Sequence, residues 1–377
     1  MTRGVLNSGA AAPLPAGHRR RILMSIDSVG GVWRYAMDLA AALRQEMEFF
    51  FVGLGPHPNS AQVEEAEAIG DLVWLDAPLD WTASDEQALD VIPRLFRDLV
   101  AEQNIDLAHL NLPSQAAGLD LPIPVLVVSH SCVVTWFAAV RRSGLPAGWA
   151  WQKRRNRAGF DAADLVIAPS MAHADLLRQS YGPIPRLEVV HNGTRHAPVP
   201  VEKDNIVFAA GRWWDEGKNG AVLDAAAALT GWPVVMAGAE NGPNGQRIEI
   251  RHADFRGHLP HSKARAIMNR AAIVASPSLY EPFGLVPLEA AGARAALVLA
   301  DIPTYRELWE GAALFADPEN PRAFAAAIDR LAADEVLRER LAEAALRRST
   351  RYTIMAQARS MRQLYGTLMP QTLAPSA

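Results

Sequence analysis

Two glutamates, Glu281 and Glu289, lie eight positions apart on either side of a Pro-Phe-Gly turn. The apolar run 271–275 before them predicts a buried parallel strand, and an alanine-rich helix is predicted from about Val286 to Arg294. The segment is therefore predicted to run from a strand through a tight loop into a helix. Glu281 is placed in the loop and Glu289 about one turn into the helix.

The start of that helix is a predicted anion site. The backbone amides of Gly284, Leu285 and Val286 are expected to lack helical partners and to point out of the helix, an arrangement that attracts phosphate. Two carboxylates beside a phosphate cradle suit a nucleotide-linked sugar, because sugar hydroxyls need hydrogen-bond acceptors. On spacing alone, a solvated helix face with two surface glutamates explains the pair equally well.

The segment resembles the Glu-x7-Glu signature of retaining glycosyltransferases of family 4, which have the GT-B fold. The resemblance extends from about Arg21 to about Leu368 and is most specific in the C-terminal half. It implies an α/β architecture of two Rossmann-like, doubly wound domains that face a central cleft, with the C-terminal helix crossing back to the N-terminal domain. It also implies transfer of a sugar from a nucleotide-diphosphate donor with retention at the anomeric carbon.

A second loop, at residues 211–219, places Arg212 and Lys218 directly after the predicted strand Ile206–Ala210. Ligands of open α/β sheets bind at the carboxyl ends of strands, so both cations are expected at the cleft, where each can neutralise a diphosphate oxygen. Alone, the loop could equally be a solvated turn. The resemblance implies that both residues contact the donor diphosphate, although Gly217 makes the spacing one residue longer than the commonest family pattern.

Other donor-side residues follow from the resemblance. Gly31 belongs to a Gly-Gly loop between the first strand and the first helix, which alone could be only a tight turn. Gly238 and Leu259 lie in loops that match those holding the nucleotide base. Glu281 is expected to accept hydrogen bonds from the donor sugar and Glu289 from the ribose. The predicted donor-binding set is Gly31, Arg212, Lys218, Gly238, Leu259, Glu281, Phe283, Gly284, Leu285, Val286 and Glu289.

Polar residues also end two strands of the first half. His130 follows the predicted strand Pro124–Ser129 and, through the resemblance, is expected near the transferring sugar. The predicted catalytic residues are therefore His130, Glu281, Arg212 and Lys218. His109, Asn111 and Trp136 are predicted on the acceptor side. A purely structural role for either histidine stays open.

The segment 136–157 combines aromatic and basic side chains. Such a surface could lie on anionic lipid, bind an acidic or lipid-diphosphate acceptor, or be a helix pair with buried tryptophans and a solvated basic face. Its members are Trp136, Phe137, Arg141, Arg142, Trp149, Trp151, Lys153, Arg154, Arg155 and Arg157.

The composition of the whole chain bounds its class. A length of 377 residues, half of them apolar, suggests two domains of ordinary size. A net charge of −4 argues against nucleic acid as a partner. The single cysteine, Cys132, excludes an internal disulfide and fits a reducing cytoplasm, and no apolar run reaches the ~18 residues of a membrane span. The predicted location is cytoplasmic, with contact with the inner face of the plasma membrane left open.

Apolar strands alternate with amphipathic helices along the chain, which favours parallel sheets covered on both faces. The predicted divisions are a disordered tail (1–19), an N-terminal acceptor-binding domain (20–195), a C-terminal nucleotide-sugar-binding domain (205–351) and a crossover helix with a tail (352–377). A linker is predicted between His191 and Asp204, and one long helix from Arg322 to Arg348. The predicted strands are Ile22–Ile26, Phe49–Leu54, Leu72–Leu75, Asp106–Leu110, Pro124–Ser129, Leu165–Ala168, Ile206–Ala210, Pro233–Ala237, Ala272–Ala275, Ala296–Ala300 and Ala313–Phe315.

The resemblance implies a hexosyltransferase whose co-substrate is a UDP-, GDP- or ADP-sugar and whose acceptor is a glycan, a lipid-linked molecule or a small molecule, as in polysaccharide biosynthesis. The chain has no Asp-x-Asp motif, so neither a metal nor a resident cofactor is expected. A sugar-nucleotide epimerase or phosphorylase on the same fold, or a catalytically dead nucleotide-sugar-binding subunit, remain alternatives.

Overall fold

The computed structural model describes residues 19–195, 201–242 and 245–369. The predicted N-terminal tail lies outside the described residues apart from Arg19. Part of the predicted linker (196–200) and the end of the predicted C-terminal tail (370–377) lie outside them as well.

The N-terminal domain is built on a seven-stranded parallel sheet in the order β3-β2-β1-β4-β5-β6-β7. Its interior strands are largely apolar and buried, as expected when helices cover both sides of a parallel sheet. The strands are β1 (Arg20–Ile26), β2 (Met47–Gly53), β3 (Asp71–Trp74), β4 (Leu107–Leu110), β5 (Val125–Val128), β6 (Leu165–Ala168) and β7 (Leu187–Val189).

The C-terminal domain is built on a six-stranded parallel sheet in the order β10-β9-β8-β11-β12-β13. Its strands are β8 (Asp204–Ala210), β9 (Val234–Ala237), β10 (Asp254–Phe255), β11 (Ala271–Ser276), β12 (Ala296–Ala300) and β13 (Leu314–Ala316).

Thirteen α-helices are assigned within the described residues. They are α1 (Gly31–Leu43), α2 (Ser60–Glu67), α3 (Ile92–Glu102), α4 (Val133–Trp136), α5 (Ala150–Ala162), α6 (Met171–Tyr181), α7 (Gly220–Ala227), α8 (His261–Arg270), α9 (Leu285–Gly292), α10 (Pro303–Trp309), α11 (Pro321–Ala333), α12 (Glu335–Ser349) and α13 (Ile354–Leu368). A π-helical turn, Phe137–Arg141, extends α4.

Both sheets are doubly wound, which confirms the predicted fold class. The strand order reverses beside β1 in the first sheet and beside β8 in the second, so the ligand crevice of each is expected at the carboxyl ends of β1 and β4 and of β8 and β11. Alternate residues of β1 face opposite sides of its sheet: Met24 packs in the core with α1, while Leu23 packs in the core with α3.

The C-terminal helix crosses back to the first domain, as predicted. Met361 and Tyr365 of α13 are fully buried in the core that also contains α1. A β-bridge between Thr194 and Thr353 joins the end of the first domain to the start of this helix. Gly193 allows that approach, because a Cβ on it would lie 2.4 Å from the Thr353 carbonyl oxygen.

The predicted long helix Arg322–Arg348 is wrong in one respect, because it consists of two helices, α11 and α12. Asp334 separates them with an extended backbone (φ −111°, ψ 90°). Its Oδ1 accepts a hydrogen bond from the Leu337 amide (2.9 Å) and so caps α12, while Arg338 donates to the Leu331 carbonyl at the end of α11 (2.8 Å).

Candidate active site

Two loops of the C-terminal domain bring Lys218 and Glu281 together. Lys218 lies in the loop after β8, and Glu281 lies in the loop between β11 and α9, called here the glutamate loop. Asp215 accepts a hydrogen bond from the Gly217 amide (2.9 Å), which starts a 3-10 turn over Glu216–Lys218. The Lys218 ammonium then lies 2.5 Å from Glu281 Oε2. Both side chains are largely buried, with 22% and 16% of their surface exposed. The two predicted catalytic residues therefore form one partly desolvated ion pair.

The helix that follows Glu281 begins at Leu285, so the first-turn amides of α9 lack intrahelical partners, as the sequence predicts. Gly284 precedes it with φ +93°, and a Cβ there would lie 2.9 Å from the Tyr305 ring. Only glycine fits this turn comfortably. Across the cleft, a Cβ on Gly31 would lie 3.7 Å from Leu285 Cδ1, so the Gly-Gly loop faces the start of α9. Phe283 is buried in the core beneath it.

Arg212 reaches across to the N-terminal domain. A Cβ on Gly30 would lie 3.4 Å from its Nη1. Its guanidinium lies 5.4 Å from the centre of the Trp214 ring and 3.6 Å from Asp215 Oδ2, and 39% of the side chain is exposed. Arg212, the Gly-Gly loop and the start of α9 thus surround the same part of the cleft.

Asp27, directly after β1, is a cleft residue that the sequence analysis missed. It is buried and accepts a hydrogen bond from the Val29 amide (2.8 Å). Burial raises the pKa of Asp27 to about 6, against the opposing effects of that hydrogen bond and of the Arg212 charge. Its position after a strand at the predicted crevice, three residues before Gly30, is the signal that could have identified it.

A buried hydrogen-bond network fixes His130. Its Nε2 lies 2.8 Å from Asn111 Oδ1, and His109 Nε2 lies 3.2 Å from the same oxygen. Because Asn111 Nδ2 donates to the Ser25 carbonyl (2.6 Å), Oδ1 is an acceptor for both rings. Each Nε2 therefore carries a proton.

The network continues to the crossing helix. His109 Nδ1 lies 2.5 Å from the Tyr365 hydroxyl, which donates to it. Burial lowers the pKa of both His109 and His130 to about 3, so both rings are neutral at physiological pH. In His130 this leaves Nδ1 as an acceptor. His109 and Asn111, predicted on the acceptor side, are fully buried and position His130 from behind.

The buried state of His109 gives a stability prediction. The unfolded imidazole takes up a proton below about pH 6.5, but the folded one does not until about pH 3, so its contribution to stability is lost as the pH falls through this window. Replacing His109 with Gln should flatten the decline of the free energy of unfolding by about 1.4 kcal/mol per pH unit between pH 6 and 4, measured by urea denaturation.

The matched control for this measurement is His252→Gln, because His252 is exposed on a loop. The control should keep the pH dependence of the wild type. An unchanged slope in His109→Gln would contradict the assignment of His109 as a neutral buried ring.

Glu289 borders a cavity of about 190 Å³ between the two domains. Its Oε1 lies 3.7 Å from His261 Nε2 at the start of α8. Asp38 and Arg195 of the N-terminal side line the same cavity and lie 3.2 Å from each other. Glu289 is therefore set apart from Glu281, on the side of α9 that faces the connection between the domains.

The two predicted base-binding loops are adjacent. The Gly238 amide donates to the Gly257 carbonyl (2.8 Å), two residues before Leu259. Gly238 has φ +132°, and a Cβ on it would lie 1.8 Å from the Gly211 carbonyl oxygen. The loop after β9 therefore packs directly on the residue that precedes Arg212.

The aromatic-basic segment 136–157 does not form one surface. Trp136 and Arg141 contact the C-terminal domain, where Trp136 Nε1 donates to Asp215 Oδ1 (2.9 Å) and Arg141 to Glu216 (2.6 Å). Arg155 is buried and donates to the Leu89 carbonyl (2.6 Å). Trp149 keeps 39% of its surface exposed. Trp136, predicted on the acceptor side, thus lies against the loop after β8, which carries Arg212 and Lys218.

Within residues 19–195, 201–242 and 245–369, no helix is both long and apolar enough to span a membrane. The same residues contain no group of three or more His, Cys, Asp or Glu side chains arranged to hold a metal ion.

Family models match nearly the whole described chain. The model described as Glycosyltransferase Family 4 matches residues 29–197, and the model described as Glycosyl transferases group 1 matches residues 194–348. The boundary between them falls where the first sheet ends and the connection to the second begins.

Two sequence relatives are 28% identical to the chain. A glycogen synthase from Mycobacterium tuberculosis matches over 56% of this chain but only 44% of its own length, so the chain spans less than half of that relative. An alpha-maltose-1-phosphate synthase from Mycolicibacterium smegmatis matches over 72% of this chain and 76% of its own length.

Solved structures share the fold. A sucrose-phosphate synthase from Thermosynechococcus elongatus superposes with a TM-score of 0.77 at 20% identity, covering 93% of this chain and 99% of its own. HepE from Anabaena in complex with UDP-glucose superposes with a TM-score of 0.71 at 18% identity, covering 92% of this chain and all of its own.

Proposed function

Because the chain belongs to the group 1 glycosyl transferases of family 4, with the GT-B fold, we propose that it transfers a sugar from a nucleotide-diphosphate donor to an acceptor hydroxyl. The observation that carries this proposal is the convergence of three anion-binding elements. Lys218, Arg212 and the first-turn amides of α9 meet at one crevice, beside the acceptor side chain of Glu281.

These elements suit a reaction that releases a nucleoside diphosphate. Negative charge develops on the phosphate as its bond to the sugar breaks, and fixed donors already aimed at that place stabilise it. Lys218 has three N–H donors, so it can bond to a phosphate oxygen and keep its contact with Glu281. Because these cations and amides supply the neutralising charge, the proposed reaction needs no metal and no resident cofactor.

The carboxylates are proposed to bind hydroxyl groups. Glu281, fixed by Lys218, would accept hydrogen bonds from the donor sugar, and Glu289, in its separate cavity, from the ribose. The neutral His130 offers Nδ1 as an acceptor near the sugar. We propose retention of the anomeric configuration, with the acceptor oxygen attacking from the face that the phosphate leaves and the phosphate taking the acceptor's proton.

The similar proteins guide the choice of substrates. HepE was solved with UDP-glucose, and the relatives are named for making glycogen or maltose 1-phosphate. We propose a UDP-, GDP- or ADP-sugar as donor and a glycan, a lipid-linked molecule or a small molecule as acceptor, in polysaccharide or glycolipid synthesis. The proposed place of action is the cytoplasm, including the inner face of the plasma membrane.

A donor panel tests this function. UDP-, GDP- and ADP-glucose are compared in thermal unfolding, and a true donor at 100 times its dissociation constant should raise the free energy of unfolding by about 2.7 kcal/mol. The same nucleotide sugar should release its nucleoside diphosphate when acceptors are added. Free glucose serves as the control ligand, because it lacks the diphosphate.

The products decide between the proposed function and its alternatives. Formation of a sugar 1-phosphate from a glycan would indicate a phosphorylase, and a free epimer an epimerase. Binding without turnover would indicate a nucleotide-sugar-binding subunit. If no nucleotide sugar raises the melting temperature, the proposed function is wrong.

A further inference from the structure

A short segment of the N-terminal domain reaches across the cleft to the loops that carry Lys218 and Glu281. It comprises α4, the π-helical turn and the Arg142 that ends the turn (residues 133–142), and is called here the α4 strap. We propose that Trp136 of the α4 strap is a positioning residue, which holds the loop after β8 (residues 211–219) in the shape that binds the donor phosphates when the two domains close on the donor. This inference rests on the proposed function.

The central contact joins Trp136 to Asp215. The indole N–H donates to Asp215 Oδ1 (2.9 Å), and the same oxygen accepts the Gly217 amide (2.9 Å). The other oxygen of Asp215 lies 3.6 Å from Arg212 Nη2. A single carboxylate from the C-terminal domain thus connects the strap with both the turn that presents Lys218 and the side chain of Arg212.

The fit around Gly217 is close. A Cβ on Gly217 would lie 2.9 Å from Trp136 Nε1 and 3.1 Å from Asp215 Oδ1. The Gly217 that lengthens the spacing between Glu216 and Lys218 is therefore the residue that admits the indole. Gly217, the extra residue relative to the usual family spacing, and Trp136 therefore pack against each other.

The strap also contacts the glutamate loop. The Gly217 carbonyl accepts hydrogen bonds from the amides of Leu279 (2.9 Å) and Tyr280 (3.3 Å). The Tyr280 hydroxyl in turn lies 2.8 Å from Thr135 Oγ1 on the strap, and both side chains are buried. Through these bonds, the position of the strap is coupled to the loop that carries Glu281.

The outer contacts of the strap are ion pairs. Arg141 bonds to Glu216 (2.6 Å) and Arg142 to Glu319 (2.7 Å), and all four side chains are at least half exposed. Exposed ion pairs of this kind contribute little to the stability of a contact, because water and salt screen them. The hydrogen bond from Trp136 to the Asp215 carboxylate is partly buried, so its loss should lower donor use more than the loss of either ion pair.

The test compares Trp136→Phe with Trp74→Phe in steady-state transfer. Phe keeps an aromatic ring and removes one indole N–H, and in the control the lost bond runs from Trp74 to the Gly55 carbonyl (3.0 Å), within the N-terminal domain at the edge strand β3. Trp136→Phe should lower kcat/KM for the donor about tenfold, the usual effect of losing one hydrogen bond to a charged group. The acceptor KM should change less than twofold, and Trp74→Phe should behave as the wild type.

Variants at Asp215 extend the test. Asp215→Asn keeps an oxygen for both N–H donors and should retain most of the donor kcat/KM, whereas Asp215→Ala should lose at least tenfold. Because both changes remove the same bond, Trp136→Phe should add nothing to Asp215→Ala. Asp334→Ala, which removes a capping carboxylate far along the chain, controls for a general loss of stability.

Hydrogen exchange provides a readout that does not depend on activity. In Trp136→Phe, the amides of Gly217, Leu279 and Tyr280 should exchange faster than in the wild type, even if no nucleotide sugar is turned over. Two results would overturn the proposal: unchanged exchange at these amides, or an active variant whose defect is confined to the acceptor KM. The second result would instead assign the α4 strap to acceptor binding.

Discussion

Replacing Lys218 with alanine is expected to lower the rate of sugar transfer by about 10²–10³-fold while leaving the protein folded. The change removes the cation that we propose faces the leaving diphosphate, and a single missing electrostatic donor has an effect of this size. It also leaves Glu281, now without its partner at 2.5 Å, free to turn away from the sugar or to repel the phosphate. The measurement is kcat for donor consumption under saturating acceptor.

Two further lysine variants make the result specific. Lys153→Ala removes an exposed cation from α5 and should have near-normal kcat. Lys218→Arg keeps the charge but replaces a compact ammonium with a planar fork, so it should recover only part of the activity. Near-normal turnover in Lys218→Ala would show that the loop after β8 is not the phosphate site.

Replacing Gly238 with alanine is expected to have the largest effect on stability. The backbone φ of +132° is strained for any residue with a Cβ, and the new methyl group would lie 1.8 Å from the Gly211 carbonyl oxygen. The backbone must move to remove this clash, so the free energy of unfolding should fall by about 3 kcal/mol or more. Because Gly211 precedes Arg212, donor binding should weaken in any protein that remains folded.

The chain offers a close control for this change. Gly231 lies at the other end of β9, before the strand begins, and a Cβ there would meet nothing within 4 Å. Gly231→Ala should therefore keep the midpoint of urea unfolding within the error of the wild type. Equal midpoints for Gly238→Ala and Gly231→Ala would contradict the packing of the loop after β9 against Gly211.

Most of the strands could be predicted from the sequence, because the interior strands of a parallel sheet are short apolar runs bounded by turn residues. The two missed strands, β7 and β10, lie at sheet edges and contain only three and two residues. Their pairing depends on the neighbouring strand and leaves little pattern of its own. The break between α11 and α12 was missed because Asp334 interrupts a helical pattern at a single residue.

The approach of Lys218 and Glu281 could be predicted from the geometry of the sheet. Both residues follow strands, β8 and β11, that are neighbours in the sheet, and the carboxyl ends of neighbouring parallel strands meet at one edge. The histidines were a different case. His130 follows β5, and His109 is the next-to-last residue of β4. Both positions indicated the cleft, but closeness to a strand end does not distinguish His130, which is half-buried beside the cleft, from His109, which lies fully buried behind it.

By itself, the sequence determined the alternation of strands and helices and the loops that carry Arg212, Lys218 and Glu281, because each follows from local pattern and from the geometry of a parallel sheet. The pair of doubly wound domains was implied by the resemblance to a known family. Tertiary structure alone decided which partners those loops meet. Tyr365 reaches His109 across 256 positions, and Trp136 reaches Asp215 across 79, so no local signal records either bond. Such contacts exist only once the crossing helix and the two domains have packed together.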